Sequence, residues 1–346
     1  MFGTGNKSPY YKITIPASKF ASSIGYFVYY VNLSDLSDAF IANCRSDGKD
    51  IQVFNSSGVS CKREIVGFVK SPKAGQLYFV SSAASTVDNV FYIETGSGTL
   101  YANNAATWTD AGFISVHHCE ETSGHAVDAT GLHTSTEETN ITYNQAGEIG
   151  KCFLYGAGAS ASKLIIGDNA TIGTGNVSIS MLIKLIDWGW NNLTGRIMSA
   201  PYFEIMTYNN TGHGFWATSD NGVTYATTPA NAVTFGAWQY LTVTRSSEGL
   251  INIYSNGALT GAANQPGGTP SVQSFSAAYG VISNSTVGFT NGLIDEARIC
   301  TRIQPVAEIA AYNTNLQTPG SFYTLQLYQS TTTKISKPWW SWAWRW

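Results

Sequence analysis

The sequence is poor in charge, since Lys, Arg, Asp and Glu make up 12% of its 346 residues, against about 25% in ordinary soluble domains. This scarcity argues against a coiled coil and against charge-driven disorder. The 19 basic residues form no block and the net charge is −3. Binding to nucleic acid needs clustered cations that neutralise phosphates, so we expect no nucleic-acid partner.

Long apolar runs are also missing. The most apolar stretch, residues 177–188, is interrupted by Lys184 and is shorter than the roughly 20 residues that a bilayer demands. The opening residues, MFGTGNKSPYYK, contain neither an apolar core nor a small-residue cleavage site. We therefore expect no membrane insertion and no cleavable signal peptide.

Ser, Thr, Asn, Gly and Tyr take the place of the charged residues, and these types suit pleated strands and tight turns. Short β-branched and aromatic segments recur over residues 10–100 and again from Phe113, separated by turn residues. The one convincing helical pattern spans residues 305–312 and begins at a proline. The pattern predicts an all-β protein with two β-sandwich, or jelly-roll, domains in series and one short helix near the C-terminus.

Composition places the domain boundaries. Residues 97–112 are rich in Gly, Asn, Ala and Thr, with weak periodicity, so we predict an N-terminal sandwich over residues 1–108. A second sandwich is predicted over residues 109–319. Residues 320–346 are predicted to form one more strand and a tryptophan-rich tail.

The second sandwich resembles the laminin-G-like, concanavalin A-type jelly roll. The resemblance rests on an opening His118-Cys119-Glu120-Glu121-Thr122-Ser123-Gly124 with a later Asp128-Ala129-Thr130-Gly131 turn, on GEIGKCFLYG and NVSISMLIKL, on WQYLTVTR followed by IYSNG, and on a closing GLIDEARI. The aromatic residue that the family carries on its central strand is replaced here by Met181 or Leu182. The match covers about 200 residues.

Residues 10–100 resemble a β-sandwich family of unknown function that often precedes laminin-G-like domains in bacterial surface and phage proteins. The residues that carry this resemblance are YYKITI, DGKD before IQVFNSSG, Arg63-Glu64-Ile65 and VFYIETG. The segment Glu94-Thr95-Gly96 departs from the usual ending of the last strand. This family implies no activity for the chain.

The concanavalin A-type resemblance raises the question of glycan binding or cleavage. Cleavage needs two carboxylates about 5–10 Å apart across the scissile bond, but the acidic pairs are adjacent residues that face opposite sides of a strand: Glu120-Glu121, Glu137-Glu138 and Asp295-Glu296. No nucleophile elbow or phosphate-binding loop occurs. We therefore expect a protein that is not an enzyme.

Aromatic side chains in or beside loops are candidates for glycan contacts, because sugar C–H faces stack on aromatic rings. These candidates are Trp188, Trp190, Trp216 and Tyr225, each with the alternative of a core position. Laminin-G-like folds often hold calcium, and the candidate oxygen ligands are Asp128, Asp168 and Asp295. Their alternative is plain turn capping, and Asp295-Glu296 has the further alternative of pairing with Arg298. No cofactor is required by any motif.

Cysteines and histidines show no zinc pattern, because the five cysteines lack a C-x-x-C pair and the clustered histidines lack matching ligands elsewhere. We expect the cysteines to be reduced hydrophobic residues. The alternative is one disulfide between Cys119 and Cys300, which lie on the predicted first and last strands of the second sandwich.

The C-terminal tail is the most unusual feature of the sequence. Its alternation would place several indoles on one face of an extended strand, and such a surface would not stay free in solution. Docking on its own domain and anchoring in another subunit are the two alternatives. The five tryptophans of this candidate anchor are Trp339, Trp340, Trp342, Trp344 and Trp346.

These features favour a structural component of a bacteriophage virion, either a capsid decoration or head-fibre protein or a tail-fibre or receptor-binding subunit. Its tail would anchor it to other virion proteins or to further copies of itself, and host lysis would release it. The laminin-G-like domain would face outward and hold cell-surface glycan weakly. The alternative is a bacterial surface or secreted carbohydrate-binding module or adhesin.

Overall fold

The computed structural model describes residues 9–96, 98–156, 162–166, 175–200, 203–209, 212–218, 225–262, 278–280 and 290–328. These residues form four antiparallel sheets and four α-helices, which confirms the predicted all-β class. No helix in the described ranges is long and apolar enough to span a bilayer.

The N-terminal quarter of the chain forms two small sheets. Its elements are β1 (Tyr10–Ile15), β2 (Ile24–Asn32), α1 (Asp38–Asn43), β3 (Gln52–Asn55), β4 (Arg63–Lys70), β5 (Lys73–Ala83) and β6 (Asn89–Glu94). Strands β2, β5 and β4 make one sheet, and β1, β6 and β3 belong to the other. Their facing side chains meet in an aromatic core, where the ring of Phe91 lies 5.0 Å from Tyr29 and 4.8 Å from Phe79.

The rest of the chain forms two large sheets. Its elements are α2 (Ala106–Thr109), β7 (Phe113–His117), β8 (Ser135–Thr139), β9 (Thr142–Ala146), β10 (Lys151–Tyr155), β11 (Lys163–Ile166), β12 (Val177–Leu185), β13 (Thr194–Ala200), β14 (Phe203–Tyr208), β15 (His213–Thr218), β16 (Tyr225–Pro229), β17 (Gln239–Arg245), β18 (Ile251–Ser255), β19 (Ala258–Ala262), β20 (Ala278–Gly280), β21 (Gly292–Cys300), α3 (Val306–Gln317), α4 (Pro319–Phe322) and β22 (Thr324–Tyr328).

The larger of these sheets has the order β19-β18-β17-β12-β21-β10-β9, with β7 paired to β21. The other has the order β16-β15-β14-β13-β20-β11-β8. The turn Asn256-Gly257 joins β18 to β19 with φ of 50° and 80°, the positive values that both central residues of a type I′ turn need.

The eight-stranded sheet contacts a hydrophobic core on each face. Ile179, Met181 and Ile183 of β12 pack with the seven-stranded sheet. Leu182 of β12 and Tyr240 of β17 join the core of the N-terminal sandwich instead. This explains why β12 is buried along nearly its whole length rather than alternating between buried and exposed positions.

The C-terminal elements return to the N-terminal sandwich. Strand β22 pairs antiparallel with β1, with Tyr10 opposite Tyr328 and Thr14 opposite Thr324. The predicted helix at 305–312 is present as α3 and runs five residues further, to Gln317. The predicted domain boundaries at residues 108 and 319 stay predictions. The N-terminal sandwich nevertheless shares one hydrophobic core with side chains of β12, β17 and α3.

Side chains from the C-terminal helices cover the edge strand β2. The backbone N–H groups of Val28, Tyr30 and Asn32 donate hydrogen bonds to the Tyr312 hydroxyl, the Asn315 Oδ1 atom and the Tyr323 hydroxyl, at 3.2, 2.8 and 3.1 Å respectively. The Asn315 Nδ2 atom also donates to the carbonyl of Tyr30 at 2.9 Å. Side chains thus supply the partners that a neighbouring strand would otherwise provide.

All five cysteines are buried and free. The Cys119 thiol donates to the carbonyl of His117, and the Cys300 thiol donates to the carbonyl of Ala111. The structure therefore favours the reduced state over the alternative disulfide between Cys119 and Cys300.

Candidate functional site

Strand alternation on the seven-stranded sheet places a group of aromatic side chains on its outer face. Phe215 and Ala217 of β15 point into the core, so Trp216 between them points outward. Trp216 lies opposite Met206 of β14 and Thr227 of β16. We call the outward-facing residues Tyr208, Trp216 and Tyr225 the aromatic strip; Met206 lies between them and is covered.

The rings of Trp216 and Tyr225 lie together, with centroids 6.0 Å apart and planes inclined by 28°. Tyr225 is 45% exposed. At the other end of the strip, Tyr208 stacks on His213 with a centroid distance of 6.0 Å. From Tyr225 on β16 to Tyr208 on β14, the strip spans two inter-strand spacings of about 4.8 Å and four residues in the strand direction. The diagonal between these two ends is roughly 16 Å long.

A charged pair lies beside the strip. Arg196 of β13 lies opposite Met206 in the strand register, and its Nε atom donates to Glu204 Oε1 at 3.0 Å. Both side chains are less than a third exposed. The face therefore combines apolar ring surfaces with a donor and an acceptor at its border.

The structure brings together two of the four predicted glycan-contacting aromatics, Trp216 and Tyr225. Trp188 packs against the core of the second sandwich, edge-on to Phe235 at 5.0 Å. Trp190 is half-buried and forms a bridge with Thr194 at the start of β13. Sequence alone missed Tyr208 and Met206, although alternation along β14 places both on the same face.

The calcium expectation does not fit Asp128. Its Oδ1 atom accepts hydrogen bonds from the N–H groups of Val116 and Thr130, at 2.8 and 3.0 Å. Its Oδ2 atom accepts from the N–H groups of Leu132 and His133 and from the Thr130 hydroxyl, at 3.1, 2.7 and 2.5 Å. Asp128 is thus a turn-capping residue, the stated alternative, since backbone donors occupy both carboxylate oxygens.

The other two candidate calcium ligands do not join Asp128. Asp295 is fully buried and its Oδ2 atom accepts from the N–H of Ile149 at 2.9 Å, whereas Asp168 lies outside the described residues. Among the described side chains, no three His, Cys, Asp or Glu residues converge on a point that could hold a metal ion.

A buried ionic cluster lies where the two sandwiches meet, and sequence reasoning missed it except for one pair. Its members are Glu64 of β4, Tyr78 of β5, Trp108 of α2, His118 after β7, and Glu296 and Arg298 of β21. Glu296 accepts from His118 Nδ1 at 2.6 Å, from the Tyr78 hydroxyl at 2.7 Å and from Arg298 at 2.5 Å. The stated alternative of a pair between Glu296 and Arg298 is therefore confirmed.

Aromatic rings and a second carboxylate complete the ionic cluster. Glu64 accepts from Trp108 Nε1 at 2.5 Å and lies 3.3 Å from His118 Nε2. The guanidinium of Arg298 lies 4.9 Å from the ring of Trp108, and His118 stacks on Tyr78 at 4.8 Å. Every charge in the cluster therefore has an opposite charge within reach.

The surroundings of these groups determine how they titrate. Burial alone would lower the pKa of His118, but Glu296 and Glu64 raise it to about 10. Burial alone would raise the pKa of Glu296, but His118 and Arg298 lower it to about 2. Burial lowers the pKa of the neighbouring His117 to about 4. The cluster is an internal ion network with both histidine nitrogens committed, so its arrangement is structural.

Glu296 sits at a β-bulge. Strand β21 shifts register against β12 between the Ser180–Arg298 and Leu182–Asp295 pairs, and Glu296 has φ of 51°. The extra residue turns the Glu296 side chain toward the N-terminal sandwich while Ala297 enters the core of the second sandwich. The predicted anchor residues Trp339, Trp340, Trp342, Trp344 and Trp346 lie outside the described residues.

Comparison with known proteins supports the fold of the second sandwich. Residues 158–310 match the family described as the concanavalin A-like lectin/glucanases superfamily, within the laminin-G-like group. No curated protein matches the sequence. The resemblance of residues 10–100 to the sandwich family of unknown function stays a prediction.

Two similar solved structures are botulinum neurotoxin domains. One is the serotype D ligand-binding domain in complex with N-acetylneuraminic acid, at 16% identity and a TM-score of 0.46, covering 60% of this chain and 52% of that one. The other is the receptor-binding domain of the C/D mosaic serotype, at 16% identity and a TM-score of 0.46, covering 58% and 51%. The chain thus spans about half the length of these structures.

Proposed function

We propose that the concanavalin A-like domain of this chain binds carbohydrate through the aromatic strip on the outer face of its seven-stranded sheet. The observation that carries the proposal is the paired Trp216 and Tyr225, whose adjacent rings face outward beside the Arg196–Glu204 ion pair. The matching family is described as a superfamily of lectins and glucanases, which supports carbohydrate as the ligand class.

The chemistry of the strip suits a sugar chain. Rings of Trp216 and Tyr225 offer apolar faces for sugar C–H groups, and the bordering Arg196 and Glu204 offer a donor and an acceptor for hydroxyls. A strip roughly 16 Å long extends over several sugar units. An oligosaccharide is therefore the ligand class that we propose.

A glycan array followed by titration calorimetry on the full chain tests this proposal. Trp216→Ala and Tyr225→Ala should each weaken binding of an array hit about tenfold or more. Each removes one ring that the bound sugar would cover, and losing that contact costs about 1.5 kcal/mol or more. Leu100→Ala, which removes an exposed apolar side chain outside the aromatic strip, is the control and should bind as the unmodified chain does. Unchanged binding by Trp216→Ala would contradict the proposal.

We propose binding without cleavage. Asp295 and Glu296, one of the acidic pairs considered for hydrolysis, are fully buried and engaged by Ile149, His118 and Arg298. Array hits incubated with the chain should yield no new reducing ends. If the unmodified chain released reducing sugar faster than the Trp216→Ala variant does, the proposal of binding without cleavage would be overturned.

We propose further that the chain serves as a virion component anchored by its tail, with a surface or secreted adhesin as the alternative. The five tail tryptophans are the sequence feature that favours the virion role. Light scattering of the full chain and of a chain ending at Tyr328 separates the two, since the shorter chain keeps β22 on β1. An oligomeric full chain with a monomeric truncation supports the anchor, and two monomers contradict it.

A further inference from the structure

A cleft lies between the N-terminal sandwich and the start of α3, away from the aromatic strip. Two adjoining cavities, both wide open to solvent, have volumes of about 460 and 410 Å³ and share Gly25, Tyr26 and Asp110 as lining residues. Each volume is within the range of small-molecule sites, which occur preferentially where domains meet. We call the two cavities together the junction cleft.

A β-bulge directs Tyr26 to the rim of the junction cleft. In the pairing of β2 with β5, Ile24 lies opposite Ala83 and Phe27 lies opposite Ser81. Gly25 and Tyr26 therefore share the single opposing residue Ser82, and a bulge of this kind redirects a side chain. Tyr26 is 54% exposed, more than any other aromatic side chain in the described part of the protein.

The charges of the junction cleft are already paired. Lys62 lies 2.5 Å from Asp110 on one side. On the other side, the guanidinium of Arg302 donates two hydrogen bonds to the carboxylate of Glu308, at 2.7 and 2.6 Å. Two cations and two anions balance, so an ionic ligand would have to displace a partner that is already in place.

Hydroxyl groups supply the remaining polar surface. The cleft is lined by Ser22, Ser23, Ser60, Ser81 and Ser82. Neither the Tyr26 hydroxyl nor the Ser82 hydroxyl has a hydrogen-bond partner among the described residues. A ring with one open face, uncommitted hydroxyls and balanced ion pairs can together contact a ligand that has both an apolar face and several hydroxyl groups.

We propose that the junction cleft binds a neutral saccharide unit of one or two sugars, with its apolar face on Tyr26 and its hydroxyls at the Lys62–Asp110 pair. This site is separate from the aromatic strip. It lies between the N-terminal sandwich and the start of α3, and either site can fail without the other.

The test uses the full chain and a panel of neutral sugars: glucose, galactose, mannose, N-acetylglucosamine, maltose and lactose. Saturation-transfer NMR identifies those that bind, and titration measures their affinity. Tyr26→Ala should lower the affinity for at least one of these sugars about tenfold, for the loss of one stacked ring. Leu132→Ala, which removes an exposed apolar side chain outside both sites, should leave that affinity unchanged and serves as the control.

Three results would overturn the proposal. The first is that no sugar of the panel binds, and the second is that Tyr26→Ala binds every sugar as the unmodified chain does. The third is that inorganic phosphate competes for the site more strongly than the sugars, which would make it an anion site. Tyr26 is exposed on a bulge, so Tyr26→Ala should keep the melting temperature of the unmodified chain, and circular dichroism verifies this.

Discussion

Replacing Glu296 by Gln removes one charge from the ionic cluster while keeping the size and the backbone conformation of the side chain. Arg298 and His118 then lose the carboxylate that lies within 2.6 Å of both, and Glu64, at 3.3 Å from His118, is the remaining anion of the cluster. Removing one partner of a buried ion pair leaves an uncompensated charge and costs about 3–5 kcal/mol.

The raised pKa of His118 leads to a similar magnitude for this loss of stability. Its pKa of about 10, against an ordinary 6.5, corresponds to about 5 kcal/mol of preference for the charged form in the folded protein. Glu296 is the stronger of the two carboxylates that raise this pKa, ahead of Glu64. We therefore expect Glu296→Gln to lower the free energy of unfolding by about 3–5 kcal/mol.

Urea unfolding followed by circular dichroism measures this loss as a lower midpoint at an unchanged slope. The matched control is Glu137→Gln, the same substitution at the exposed end of the Lys163–Glu137 pair, which should leave the midpoint in place because exposed ion pairs contribute little. Equal midpoints for Glu296→Gln and Glu137→Gln would refute the reasoning that the ionic cluster stabilises the junction.

Three further outcomes follow from single features of the fold. The contribution of His118 to stability should be lost as pH rises from 6.5 through its pKa of about 10, which urea unfolding across this range checks. Gly156→Ala should cost about 1–3 kcal/mol, because φ is 76° and the new Cβ would press on a backbone carbonyl; a melting curve decides. Asn315→Leu should cost about 1–3 kcal/mol by leaving the N–H and carbonyl of Tyr30 unpaired, and an unshifted urea midpoint would speak against it.

Sequence patterns predicted the features that depend on neighbouring residues. The pair Asn256-Gly257 favours a type I′ hairpin turn, because both of its positions need positive φ, and the structure contains that turn. Asp295 was expected to bond a turn amide, and it accepts from the N–H of Ile149. Each of these features is encoded within a few residues.

Features that join distant parts of the chain could not be predicted in this way. His118 meets Glu296 across 178 positions, and no spacing rule relates them. The bulge that gives Glu296 its positive φ depends on the register against β12, which the sequence of β21 alone does not specify. The grouping of Tyr208 with Trp216 likewise needed the order of strands in the seven-stranded sheet.

The contacts of α3 and β22 with the N-terminal sandwich lead to a last prediction, for the fragment 1–108 on its own. This fragment lacks β22, the partner of β1, and it lacks Tyr312, Asn315 and Tyr323, which bond alternate N–H groups along β2. Both sheets would then have an open edge, and part of the aromatic core would face water. Exposed edges of this kind template association.

We therefore expect the fragment 1–108 to aggregate or to unfold without a cooperative transition, as light scattering and thermal circular dichroism would show. The chain ending at Tyr328 is the matched control, because it retains every one of these contacts and should melt cooperatively. A monomeric fragment 1–108 with a cooperative transition near that of the control would contradict this expectation. Such a result would mean that β22 and α3 rest on a sandwich that is already complete, so that the composition boundary near residue 108 also marks the limit of an independent fold.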